Sequence, residues 1–66
     1  MRRNLIEARK NKRLTQTELG ELVGLTTQFI CDLERGRSKG SVTTWDALEA
    51  VLKVDQRVLR ETDSSN

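Results

Sequence analysis

Gln28 lies in the run Thr26-Thr27-Gln28-Phe29-Ile30-Cys31-Asp32-Leu33-Glu34, whose side chains could read the edge of a nucleobase. If Ile30 and Leu33 face inward on a helix, then Thr27, Gln28, Cys31 and Asp32 share the opposite face, because residues four apart stack along the axis. A carboxamide donates and accepts at once, so Gln28 matches N7 and the N6 amino group of adenine. Thr27 offers a methyl for thymine or a hydroxyl for a phosphate. Asp32 repels phosphates, so it would either accept from a cytosine amino group or help reject wrong sequences. Phe29, on the flank, either touches a thymine or packs on the preceding helix. Cys31 on that face could respond to oxidants, although an isolated helical cysteine is more often a space-filling residue.

Such a reading surface needs a scaffold, and residues 15 to 34 have the spacing of a helix-turn-helix. Thr15 and Glu18 stand three apart, as a capping box requires, and predict a helix over residues 16 to 23 entered through Leu14. Gly20 supplies the small residue where two backbones approach, and Gly24 the left-handed exit. Thr26 caps the next helix, residues 27 to 35, and Gly36 ends it. Leu19, Val23, Leu25, Ile30 and Leu33 are the apolar residues that join the pair. In this arrangement the open amides and dipole at the start of the 16–23 helix favour a phosphate, with Gln16 and Thr17 beside them. Arg37, Ser38 and Lys39 would clamp the strand on the other side, with Lys12 and Arg13 as further phosphate contacts.

The rest of the 66 residues fits an all-α domain. An aromatic content of 3% and the absence of proline argue against a β-sandwich or a base-stacking sheet. One cysteine and no histidine exclude an internal disulfide and the usual zinc sets, so no metal or other cofactor is expected. Charge is uneven: residues 1 to 13 carry six basic side chains against one acidic, while residues 14 to 36 carry one against four. A polyanion would therefore meet the N-terminal helix and the Arg37, Lys39 loop, with the middle providing readout. A first helix is expected over about residues 3 to 12, with Leu5, Ile6 and Ala8 on its packed side. A fourth, over 42 to 52 and capped by Ser41, places Val42, Trp45, Leu48 and Leu52 in a buried stripe. Asp55 caps a short fifth helix reaching about Glu61. Residues 1 to 61 form one domain, and 62 to 66 read as a disordered polar tail.

Arg9, the run Leu14-Thr15-Gln16-Thr17-Glu18-Leu19, the Val23-Gly24-Leu25 turn, Ile30, the string Leu33-Glu34-Arg35-Gly36, and Val42, Leu48 and Leu52 together carry a resemblance. The chain resembles the lambda-repressor-like, Cro/C1-type (XRE) helix-turn-helix regulators over residues 5 to 61. The resemblance implies a compact five-helix domain with its helix-turn-helix at the second and third helices. It implies a largely buried structural ion pair between Arg9 and Glu34, and a phosphate role for Gln16. Three residues depart from the family pattern: Arg13 where glycine is common, Gly40 where proline is frequent, and Glu49 where a small apolar residue packs. Glu49 would turn outward to Lys53, or the fourth helix is rotated.

These readings converge on a small sequence-specific regulator, a repressor without an effector domain, that binds double-stranded DNA in the cytoplasm. A module of this size contacts few base pairs, so a homodimer on a palindromic operator is expected. The family resemblance places the dimer interface at Val54, Val58 and Leu59, which could equally close the core of a monomer. The other reading is a protein-interaction module, an antitoxin or adaptor, in which DNA binding is secondary. No enzymatic chemistry, small-molecule ligand or membrane association is indicated: there is no nucleophile beside a base, no glycine-rich phosphate loop and no long apolar run.

Overall fold

The computed structural model describes residues 1–62 and shows five helices: α1 (Arg3–Asn11), α2 (Gln16–Val23), α3 (Thr27–Arg35), α4 (Val42–Leu52) and α5 (Gln56–Leu59). No strand occurs among the described residues. Most of the expected polar tail, residues 63–66, lies outside them.

Local signals set the ends of the central pair. Thr15 accepts from the amide of Glu18 at 3.0 Å, and the Glu18 carboxylate accepts from the amide of Thr15 at 2.9 Å, closing the capping box. Gly24 then turns at φ 73°, in the left-handed region, and Thr26 caps α3 by accepting from the Phe29 amide. A Cβ at Gly20 would stand 2.5 Å from the Leu25 carbonyl oxygen. Only glycine lets the turn between α2 and α3 close this tightly.

Leu5, Ala8, Leu19, Ile30, Leu33, Trp45, Leu48, Leu52 and Leu59 form one buried core, with Leu14, Val23, Leu25, Phe29, Val51 and Val54 packed on it. α2 and α3 make the most extensive contact in the fold, α4 packs on α2, and α5 packs on α1 and α4. Burying this set of side chains is the main favourable term for so short a chain.

Three expectations need correction. Val42 is 70% exposed rather than part of the buried stripe. Successive three-residue steps on an α-helix drift by about 60°, so Val42 falls on the flank of α4 that carries Glu49, away from Trp45, Leu48 and Leu52. Leu59 is fully buried in the core and is withdrawn from the surface assigned to a dimer. Glu49 does not turn to Lys53: its carboxylate accepts from the backbone amide and the side-chain amide of Gln56, at 3.2 and 3.1 Å, tying α4 to the start of α5. Lys53 instead ends α4 in a left-handed conformation, φ 61°.

Candidate nucleic-acid interface

The first turns of α2 and α3 meet at one surface. The hydroxyls of Thr17 and Thr27 are 2.9 Å apart, and both residues are exposed. Beside them Gln28, also exposed, donates from Nε2 to Oδ1 of Asp32 at 3.1 Å, one turn further along α3. Cys31 and Asp32 are half-buried on the same helix. Phe29 is half-buried and packed against the core, which leaves only part of its ring accessible to a base.

Behind this surface lies a network of charged hydrogen bonds. Arg9 Nε donates to Glu34 Oε2 at 2.6 Å and its Nη2 to Oε1 at 3.4 Å, a two-point contact with side chains only 12% and 4% exposed. Arg9 Nη1 also donates to the carbonyl of Leu14 at 2.9 Å, gripping the chain just before α2. Gln16 is drawn into the same network, donating from Nε2 to Glu34 Oε1 at 2.9 Å. One of its two amide hydrogens is thereby engaged, and the carboxamide is held at the N-terminus of α2.

The loop after α3 is fixed by a residue that the sequence pattern did not single out. Arg2 is only 6% exposed, and its Nη1 donates to the carbonyls of Leu33 and Ser38, at 2.6 and 2.7 Å. Its Nε reaches the Arg60 carbonyl at 3.1 Å, and its guanidinium lies 5.0 Å from the Trp45 ring centroid. Burial, and after it the nearby charge of Arg60, lower the pKa of Arg2. Arg2 is thus removed from the pool of residues open to a polyanion.

Around that anchor the loop presents its charges outward. Ser38 Oγ accepts from the amide of Gly40 at 3.3 Å, and the Lys39 carbonyl accepts from Trp45 Nε1 at 2.8 Å. The side chains of Arg37 and Lys39 are left exposed. Lys12 and Arg13 are exposed at the far end of α1, with Arg13 in the left-handed conformation at φ 59°. The departure from glycine at Arg13 therefore keeps the glycine-like backbone and adds a charge.

A helix-turn-helix family model matches residues 5–56. The chain belongs to that family. It is a helix-turn-helix protein of the Cro/C1 type. Among the curated relatives of this helix-turn-helix protein is the "ImmF control region 10 kDa protein" of Bacillus phage phi105, 32% identical over 57 residues. The match covers 86% of this chain and 63% of the phage protein. No solved structure gives a significant match. No helix among the described residues is long and apolar enough to cross a membrane.

Proposed function

We propose that this protein is a repressor that binds a palindromic operator as a homodimer, reading bases with the first turns of α3. The observation that carries this reading is the 2.9 Å contact between Thr17 and Thr27, which fixes the phosphate-attracting end of α2 beside the first turn of the reading helix. Gln28 reads adenine, Thr27 lies against a thymine methyl or a phosphate, and Gln16, Thr17, Arg37, Ser38 and Lys39 hold the backbone. Lys12 and Arg13 add charge at the margin. Similarity to a phage protein named for a control region supports a regulatory role.

Two copies about one helical turn apart would read enough sequence to be specific. Val58, 40% exposed on α5, with half-buried Val54 just before that helix, supplies the apolar part of the contact between them. Selection from randomised duplexes followed by mobility-shift titration tests the whole reading. A preferred palindrome, two protomers per duplex and a steep loss of binding with salt are expected. Sequence-blind binding, or one protomer on an asymmetric site, would reject it.

A further inference from the structure

We propose that Asp32 is a specificity-determining residue that acts through Gln28, restricting it to adenine and excluding guanine. The inference rests on the base-reading role proposed for Gln28 and adds the reason that role would be selective. A glutamine side chain offers two amide hydrogens and one carbonyl oxygen. Unconstrained, it can present one donor and one acceptor to adenine, or two donors to the N7 and O6 acceptors of guanine. Rotating the carboxamide interconverts these choices, so an isolated glutamine discriminates poorly between the two purines.

The contact between Gln28 and Asp32 removes the second choice. Nε2 of Gln28 stands 3.1 Å from Asp32 Oδ1, and a carboxylate can only accept. That fixes which end of the carboxamide carries nitrogen and engages one of its hydrogens. One donor and the Oε1 acceptor remain, the complement of adenine N7 and N6. Guanine would need the hydrogen that Asp32 holds, and its O6 would face Oε1, acceptor against acceptor. The charge on Asp32 adds to the penalty, since the major-groove edge of guanine is rich in acceptors.

The arrangement is secured from both sides. Gln28 and Asp32 stand four apart on one face of α3, whose first turn is capped by Thr26 and whose other face carries the fully buried Ile30 and Leu33. Asp32 is half-buried while Gln28 is exposed.

The test measures binding of the whole chain to its selected operator and to duplexes with the Gln28-facing adenine replaced by guanine. Wild type, Asp32→Ala, Gln28→Ala and the double variant are compared. Asp32→Ala is expected to shrink the adenine-over-guanine preference by about tenfold at that position while the preferences elsewhere stay as they were. In the Gln28→Ala background the same change should leave the ratio untouched, a coupling that a merely structural aspartate would not show. An unchanged ratio in Asp32→Ala overturns the inference. So does loss of a cytosine preference at a neighbouring position, which would make Asp32 a base contact in its own right. If wild type showed no base preference at all, the proposed operator reading would fail first, and the two failures would be distinguishable.

Discussion

Arg2 lies with its guanidinium 5.0 Å from the ring centroid of Trp45 while it donates to the carbonyl of Leu33, the last core residue of α3. One side chain therefore closes the C-terminal end of α3 and seats the core's largest aromatic. Arg2→Met keeps the apolar stem but leaves the carbonyls of Leu33, Ser38 and Arg60 without this donor. A loss of about 2–3 kcal/mol is expected, given the strength of hydrogen bonds to charged groups. Arg2→Lys should fall between the two, because an ammonium cannot reproduce the planar fork. Urea denaturation followed by Trp45 fluorescence measures both.

Glu34 holds two partners at once, Arg9 and Gln16, so its removal reaches beyond one ion pair. Glu34→Ala leaves the half-buried Arg9 without its carboxylate, at an expected cost of roughly 3–5 kcal/mol. Glu34→Gln should cost less, since an amide oxygen can still accept from Arg9. Equal destabilisation by the two variants would show that charge, rather than hydrogen bonding, is what Arg9 requires.

How much of this was legible in the sequence depended on how local each cause is. The ends of α2 and α3 follow from Thr15, Glu18, Gly24, Thr26 and Gly36, all of which act within a turn of themselves, and the observed bounds agree with the expected ones. The core face of α3 was equally readable, because Ile30 and Leu33 repeat at helical spacing. Arg2 was not. Its partners lie 31, 36 and 58 residues away, and nothing near it distinguishes a buried arginine from the solvated ones around it. Gly40 was noticed only as a departure, and its reason is tertiary: at φ 69°, a Cβ there would stand 2.7 Å from Trp45 Nε1. Proline, whose φ is fixed near −65°, could not adopt that backbone at all. On the candidate interface, residue types and face were legible. The hydrogen bonds that join Thr17 to Thr27, and Gln16 to Glu34, were not, since they depend on the crossing of two helices.

Asp55 gives a prediction in pH. Its carboxyl is held below the ordinary carboxylate value, first by the side-chain hydrogen bond from Arg57, then by the Arg57 backbone amide. Because the folded value is the lower one, the contribution to stability is present at neutral pH and is lost as the pH falls from the ordinary carboxylate range through the folded value. The pair is exposed, so the effect on stability is small, and the sensitive readout is an NMR titration of the Asp55 carboxyl. Arg57→Ala should raise that carboxyl's pKa only part of the way, since the backbone amide still donates.

Gln28 and Lys39 are expected to separate readout from attraction. Gln28 sits on the exposed side of α3, while Lys39 extends from a loop whose carbonyl is pinned by Trp45. Gln28→Ala should reduce base preference at one position in each half-site, by about 1–3 kcal/mol, and leave the salt dependence of binding as it was. Lys39→Ala should weaken binding to all sequences alike and make the slope of log K against log salt shallower by about one unit. If the two variants instead changed every sequence and the salt slope equally, Gln28 would be touching phosphate, and the first turn of α3 would lie along the groove edge rather than in it.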